Sequence, residues 1–154
     1  MIERHFTATA IVLNDEGRVL LLHHNKLDTW LPPGGHIEPN ELPDDALLRE
    51  VREETGIIAQ ILERDEDHDA SDRYARVLHT PWYVLCEDIG KAGTHFHIDL
   101  VYLCHAAGDA VSNPAENSGA NWYSLAQIKD MEMYHNTRAI ITRAMKEYIN
   151  AINR

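Results

Sequence analysis

Carboxylates are concentrated in one short segment of the sequence, GHIEPNELPDDALLREVREETGI, which runs from Gly35 to Ile57. On an α-helix with about 100° per residue, Glu53 lies about 60° from Glu50 on one side, and Glu54 lies about 40° away on the other. The three carboxylates therefore share one helix face. Because like charges this close repel each other, such a face is stable when a cation binds it.

A hard divalent cation such as Mg²⁺ fits this face, because it takes oxygen ligands and commonly bridges carboxylates to substrate phosphates. The glycines of the preceding PPGG sequence, Gly34 and Gly35, add backbone groups that a ligand can approach without meeting a Cβ atom. These residues predict a metal site on a helix, shaped by a Gly-rich loop, for a phosphorylated substrate. The alternative is an acidic helix face that is only solvated.

The helix that carries these acids is predicted over residues 43–55. Pro43 suits the first turn, Asp44 and Asp45 favour the positive end of the helix dipole, and Gly56 suits the position just past the end. Beside the acids lies an apolar stripe that can anchor the helix to a sheet, formed by Leu47, Leu48, Val51 and Thr55.

Most of the remaining sequence predicts strands. A hairpin is expected where two β-prone runs, residues 7–14 and 18–24, flank an NDEG turn. Further strands are expected at residues 57–62, 77–88 and 94–106, a short strand and helix at 122–131, and an amphipathic helix at 136–152. Irregular segments are expected at residues 25–35, 63–76 and 113–121. Because strands and helices mix without strict alternation, we expect an α/β chain of the α+β type with a mixed sheet, in a single domain over residues 1–154.

The composition is that of a globular protein. The chain has 154 residues, of which 44% are hydrophobic, and a net charge of −11 with its histidines neutral. This charge argues against a broad basic surface for long nucleic acid. It is compatible with a small phosphorylated substrate whose contact is mediated by divalent cations. No apolar run approaches the roughly 18 residues of a membrane helix, so no membrane partner is expected.

A cytoplasmic location is expected from two further observations. The N-terminal sequence MIERHFTATAIVL lacks the basic region and long apolar block of a secretory signal. The two cysteines, Cys86 and Cys104, lie in apolar strand-like runs, and we expect both to be buried free thiols.

Residues 35–57 also resemble the signature of a known family. Its pattern is Gly, five residues, Glu, seven residues, Arg-Glu, an aliphatic residue, any residue, Glu-Glu, any residue, Gly and an aliphatic residue. This chain meets the pattern with Gly35, Glu41, Arg49, Glu50, Val51, Glu53, Glu54, Gly56 and Ile57. The segment is similar to the Nudix box of the Nudix hydrolases, and the WLPPGG sequence before it also resembles that family.

The resemblance implies an α/β/α sandwich and a loop–helix–loop metal site for Mg²⁺ or Mn²⁺. Carried onto this chain, the implied main metal ligands are Glu50 and Glu54. Glu53 lies close by as a further or water-bridged ligand, and the carbonyl of Gly35 often completes the shell.

The resemblance also implies catalytic residues. Arg49 would hold a catalytic carboxylate by ion pairing, and Glu41 would be a structural acid. Glu50 and Glu53 belong to the implied catalytic set. Glu116, in a loop downstream, is a candidate extra ligand or general base, and it is equally consistent with an ordinary loop residue.

Nudix enzymes hydrolyse nucleoside diphosphates linked to another moiety. The resemblance therefore implies a Mg²⁺-dependent pyrophosphohydrolase that acts on a small phosphorylated substrate, a nucleoside triphosphate or another nucleotide derivative. A homodimer is common among such proteins. The alternatives are the same chemistry on a non-nucleotide diphosphate or a capped RNA end, and a Nudix-fold nucleotide sensor without turnover.

Four residues outside the box are candidates for substrate binding. His97 and Asp99 share a strand face with His95, and this face has three interpretations: a polar surface, a contact with phosphate or base, and a transition-metal site of the His-x-His kind. Trp30, beside the LPPGG sequence, could stack on a base. Tyr74, 17 residues after the box, resembles a tyrosine that marks dinucleoside-polyphosphate hydrolases. The proline that marks many ADP-ribose hydrolases near that place is absent.

Overall fold

A mixed sheet forms the centre of the computed structural model, which describes residues 1–63, 70–90 and 93–153. The strands are β1 (Glu3–Leu13), β2 (Val19–His24), β3 (Thr29–Leu31), β4 (Gly34–His36), β5 (Gln60–Ile61), β6 (Tyr83–Asp88), β7 (His95–His105) and β8 (Asn117–Tyr123). The helices are α1 (Pro43–Thr55), α2 (Leu125–Ile128) and α3 (His135–Ile152). The predicted α+β class with a mixed sheet is confirmed.

The long strand β1 organises this sheet. Along one path the strand order is β3-β2-β1-β7-β5, while β4 pairs with β1, β6 with β7 and β8 with β2. β1 is antiparallel to β2, as the predicted hairpin requires, and it is parallel to β7 over its whole length, from the pair Glu3–His95 to the pair Leu13–His105.

Alternate residues of β1 pack into two separate cores, one on each face of the sheet. The first core contains Ala8, Ala10 and Val12 of β1 with Leu47 and Val51 of α1. The second core lies on the opposite face and holds β1 residues together with side chains of α2 and α3, namely Ile11, Leu13, Ile128, Ile141, Ala144 and Met145. The sheet is therefore covered by helices on both faces, which makes the fold an α/β/α sandwich.

Helix α1 has the predicted bounds, and its end shows why. Gly56 adopts a left-handed conformation with φ 70°, and its N–H donates to the Arg52 carbonyl, which closes the last turn. A residue with a Cβ atom is strained at such a φ value.

Four of the predicted segments differ in part from the structure. Residues 25–35 and 113–121 were expected to be irregular, but they contain β3, two of the three residues of β4, and most of β8. Each of these strands pairs with β1 or β2, so a partner backbone outweighs the poor strand propensity of their Gly, Pro and Asn residues. Of the expected strands 57–62 and 77–88, only β5 and β6 form. Six residues of the expected loop 63–76, residues 64–69, lie outside the described part of the chain.

One of the two cysteine predictions is also wrong. Cys104 is a buried free thiol, as expected, but Cys86 is exposed. Cys86 pairs with Ile98 on β7, beyond the residues of that strand that pack into the first core. Across the described residues, no helix combines the length and apolar character needed to cross a membrane.

Candidate active site

Two acids of α1 converge on the two glycines of β4. The backbone N–H of Gly34 donates to Oε1 of Glu54 at 2.8 Å. The carboxylate of Glu50 lies directly against Gly35, where a Cβ atom would be 2.6 Å from Oε1 of Glu50. The loop and the helix therefore place two carboxylates beside backbone groups that no side chain covers.

Arg49 ties the loop to the acidic helix face. Its Nε and Nη2 donate to the two carboxylate oxygens of Glu41 at 2.8 and 3.0 Å, and its Nη2 also donates to the His36 carbonyl at 3.1 Å. Its Nη1 donates to Glu50 at 2.8 Å and lies 3.3 Å from Glu53. The hydrogen bonds from Arg49 lower the pKa of Glu41. Arg49 is thus a positioning residue for Glu50, and Glu41 fixes Arg49 by a two-oxygen contact.

Burial is the main influence on the protonation of the two acids that face the glycines, Glu54 and Glu50. Glu54 is only 4% exposed, and its burial, with smaller contributions from the charges of Glu50, Glu116 and Glu53, raises its pKa to about 8 against the hydrogen bond from Gly34. Burial also raises the pKa of Glu50, although the hydrogen bond from Arg49 opposes the change. Buried acids of this kind fit a bound divalent cation, because the cation would favour their charged forms.

Glu116 reaches this group because two asparagines hold its loop against the end of α1. The amide of Asn113 donates to the Glu53 carbonyl at 3.1 Å, and the amide of Asn117 donates to the Glu54 carbonyl at 2.9 Å. The sequence analysis missed both asparagines. The only sequence signal for them is their position at either side of a loop glutamate, which also fits an ordinary turn.

An open groove of about 570 Å³ lies beside the acids. Its lining contains two arginines and one of the box acids, and comprises Leu48, Arg49, Arg52, Glu53, Ile58 and Ala59. The groove is large enough for a small organic phosphate, and its arginines supply the charge to hold one.

The structure gives the predicted substrate residues varied surroundings. Asp99 is 4% exposed and accepts hydrogen bonds from the hydroxyls of Thr7 and Thr9 at 2.8 and 3.0 Å, which ties its carboxylate to β1. Burial raises the pKa of Asp99, and these hydrogen bonds oppose the change. His97 is half-buried beside other histidines, and its burial, with the neighbouring imidazoles of His36, His95 and His5, lowers its pKa to about 4.

Trp30 and Tyr74 each contact another side chain of the protein. Trp30 packs against the second core, with its ring 5.1 Å from that of Tyr123. Tyr74 is 82% exposed, and the Arg73 guanidinium lies 4.5 Å from its ring centre. The substrate-binding roles of Trp30, Tyr74, His97 and Asp99 stay predictions, as do the metal-binding and catalytic roles of the box residues and Glu116.

Comparisons with known proteins agree with this geometry. The sequence matches the NUDIX domain family over residues 3–144. An RNA pyrophosphohydrolase of Pseudomonas putida (strain GB-1) is 32% identical over 149 residues, and the match covers 89% of this chain and 86% of that protein. A NUDIX-family hydrolase from Clostridium perfringens has a similar structure, with a TM-score of 0.81 at 29% identity, covering 96% of this chain and 99% of the other.

More distant structures share the fold alone. An Ap4A hydrolase of C. elegans has a TM-score of 0.66 at 18% identity, covering 96% of this chain and 98% of the other. A family match that spans most of the chain and a full-length relative above 30% identity, together with the converging box acids, lead to one conclusion: this chain belongs to the Nudix family and is a hydrolase.

Proposed function

We propose that this chain is a Mg²⁺-dependent pyrophosphohydrolase, also served by Mn²⁺, that cleaves a nucleoside diphosphate linked to another moiety. The observation that carries the proposal is the convergence of Glu50 and Glu54 on the backbone of Gly34 and Gly35. In the reaction, a water oxygen forms a bond to phosphorus, the anhydride P–O bond breaks, and the phosphate leaves with the bonding electron pair.

Glu50, Glu54 and the Gly35 carbonyl would hold the metal, with Glu53 close by as a further or water-bridged ligand. When bound, the metal neutralises the pyrophosphate charge and makes phosphorus more electrophilic. The donor set fits a hard cation because all of its atoms are oxygens. The missing Cβ of Gly35 also fits, because the Glu50 carboxylate occupies the place that such an atom would take.

Glu53 is the box acid best placed to accept the proton of the attacking water. Its side chain is 52% exposed, whereas that of Glu50 is 14% exposed. Its contact with Arg49, at 3.3 Å, is longer than the 2.8 Å contact of Glu50. A carboxylate that water reaches and that is weakly tied can take up a proton, which is what a general base does. Glu116 is the alternative base, because the loop that carries it is fastened beside the same acids.

The groove beside the acids offers two arginines, Arg49 and Arg52, as candidates for a contact with the pyrophosphate. Both line the groove next to Glu53, and Arg52 is exposed. Arg49 is already engaged with carboxylates, so Arg52 is the better candidate for a direct phosphate contact.

The primary candidate substrate is a small nucleotide, either a nucleoside triphosphate or a nucleoside diphosphate derivative. A 5′-phosphorylated RNA end is a second candidate, and it is favoured by the name of the 32% identical relative from Pseudomonas putida. A nucleotide sensor without turnover is disfavoured, because every acid of the box pattern is present.

The test is release of phosphate and pyrophosphate in the presence of Mg²⁺ or Mn²⁺. The panel contains nucleoside triphosphates, ADP-ribose, dinucleoside polyphosphates, nucleotide sugars and a 5′-triphosphorylated RNA oligonucleotide. Glu54→Gln removes one box acid, and Glu132→Gln is the matched control because Glu132 is an exposed glutamate outside the box.

We expect Glu54→Gln to lower kcat by at least about 100-fold, and Glu132→Gln to leave it within about twofold. Turnover confined to the RNA oligonucleotide would favour the second candidate. Absence of turnover over the whole panel, with a folded wild-type protein that binds Mg²⁺, would contradict the hydrolytic proposal and favour the sensor.

A further inference from the structure

Three histidines from two neighbouring strands meet on the sheet face opposite α1. His5 lies on β1, and His95 and His97 lie on β7, where His5 and His97 are register partners in the parallel pair. Residues two apart on a strand point to the same face, so His95 joins the other two. Each of the three residues offers one ring nitrogen, and these three nitrogens lie within 4.8 Å of one another. We call these three residues the histidine cluster.

The spacing of the histidine cluster is close to that of metal ligands. Nδ1 of His5 and Nε2 of His95 are 3.2 Å apart. Two nitrogens bound to one tetrahedral zinc ion at about 2.0–2.1 Å are about 3.3 Å apart, so this pair is already at ligand distance. Because all three ligand atoms lie within 4.8 Å of one another, the third nitrogen needs to move by at most about 1.5 Å to complete the set, which a change of imidazole rotamer can supply.

A second observation points to a ligand. Nε2 of His97 is buried and has no hydrogen-bond partner among the described residues. A buried polar atom without a partner is rare and destabilising, typically by about 1–3 kcal/mol. A cation bound by the lone pair of a neutral imidazole would satisfy such an atom, whereas a merely packed ring would leave it unpaired.

The surroundings offer a fourth ligand and a compensating charge. The ring of His36 is 4.8 Å from that of His97 and 5.4 Å from that of His5. Glu87 on β6 is the register partner of His97, so its carboxylate lies on the same face beside the cluster. Carboxylates commonly orient and neutralise metal-bound histidines.

We propose that His5, His95 and His97 form a site for a borderline divalent cation such as Zn²⁺, Ni²⁺ or Co²⁺, with His36 or Glu87 as the fourth ligand. Imidazole nitrogens prefer these ions, whereas Mg²⁺ prefers oxygen. The site is therefore distinct in its chemistry from the box acids of α1. It does not depend on the proposed hydrolytic function.

The test is a titration with Co²⁺ and Zn²⁺ alone, on tag-free protein freed of metal by a chelator and dialysis. Because these ions also bind carboxylates, the titration uses the Glu50→Gln, Glu54→Gln double variant, in buffer that contains Mg²⁺. Visible absorption of Co²⁺ reports nitrogen coordination, and calorimetry with Zn²⁺ gives affinity and stoichiometry.

Three histidine variants are then compared in that background. His5→Ala removes a ligand from an exposed position, where we expect truncation to change the stability of the fold little. His97→Ala removes the half-buried ligand, and His135→Ala is the matched control because His135 is exposed at the start of α3.

We expect one equivalent of Zn²⁺, with an affinity that falls at least about 10-fold in His5→Ala and in His97→Ala but not in His135→Ala. The Co²⁺ spectrum should weaken in the same two variants. Absence of Zn²⁺ binding in the double variant, or binding that survives both cluster substitutions, would overturn the proposal.

Discussion

At the scale of single residues, the two adjacent glycines of the loop have different functions. A Cβ atom on Gly34 would lie 2.5 Å from the Ala8 carbonyl oxygen and 2.8 Å from the Thr9 Cα, both of which are backbone atoms of β1. A Cβ atom on Gly35 would instead meet the carboxylate of Glu50, which is the flexible end of a side chain. The missing side chain of Gly34 therefore serves the fold, and the missing side chain of Gly35 serves the acidic site.

The pair Gly34→Ala and Gly35→Ala separates these functions. We expect Gly34→Ala to lower the free energy of unfolding by about 1–3 kcal/mol, because the strand pairing of β4 with β1 must shift. Gly35→Ala should unfold at nearly the wild-type denaturant concentration but bind Mg²⁺ about 10- to 100-fold more weakly, because Glu50 is displaced. Denaturant titration and Mg²⁺ calorimetry measure the two effects. Equal loss of stability in both variants would contradict the assignment.

The buried carboxyl group of Glu54 makes the metal-free fold less stable as the pH rises. Its pKa of about 8 lies above its ordinary value of 4.5, so the folded state holds a proton that the unfolded state has released. Stability from this group is fully present below pH 4.5 and is lost as the pH rises towards 8. Under the proposed function, a cation bound by Glu54 would favour its charged form and reverse this effect.

Glu54→Gln should therefore stabilise the metal-free protein in a pH-dependent way. At pH 4 the variant and the wild type should unfold alike, and at pH 8 the variant should be more stable by about 1–3 kcal/mol. Chemical denaturation in EDTA at both pH values measures the difference. A variant that is less stable at pH 8 would show that the hydrogen bond from Gly34 outweighs the burial of charge.

At the scale of elements, the acidic site depends on how the loop before β8 is fastened to the end of α1. Asn117 is 1% exposed and donates to a carbonyl in the last turn of the helix. We expect Asn117→Ala to lower the free energy of unfolding by about 1–3 kcal/mol, because that carbonyl loses its donor in a buried place. The kcat should also fall, because Glu116 is no longer held beside the acids.

Asn121→Ala is the matched control for this change, since Asn121 is an exposed asparagine of the same strand. Denaturant titration and turnover of the best substrate measure both effects. If the two variants behaved alike, the link from Asn117 to α1 would be irrelevant to the site.

The secondary-structure elements also show which features of the fold the sequence predicts well. The bounds of α1 follow from local chemistry, with Pro43 at its start and Gly56 past its end, and the box acids could be placed on one face from helix geometry alone. β8 was missed because Asn117 and Gly119 are turn formers, and their strand conformation comes from pairing with β2. The fastening of Glu116 was missed for the same reason, since it depends on contacts about 60 residues apart in the sequence.

At the scale of the whole molecule, the net charge of −11 sets the expected range of substrates. An acidic protein gains little from contacts along a phosphate backbone. We expect a 20-nucleotide RNA with a 5′-hydroxyl to change the KM for the best small substrate by less than about twofold at 50 mM salt. The same RNA with a 5′-triphosphate should compete if the RNA end is a substrate. Strong inhibition by the 5′-hydroxyl RNA would reveal a basic surface that the net charge hides.

The histidine cluster could not be predicted from the sequence, because it depends on how distant strands pair. The sequence pattern places His95 and His97 on one strand face, but His5 joins them only through the parallel pairing of β1 with β7. No local signal specifies which strand a given strand will pair with, so the third histidine and the unpaired nitrogen of His97 needed the structure.

The parallel pairing of β1 with β7 also constrains how the chain is made. Thr7 and its register partner Asp99 are 92 residues apart. At about 5–20 residues per second, a ribosome takes roughly 5–20 s to supply the second strand after the first. During this interval the apolar side chains of β1 have no completed sheet to cover them. Until β7 is supplied, the unpaired edge of β1 is therefore a site at which the nascent chain is prone to aggregate.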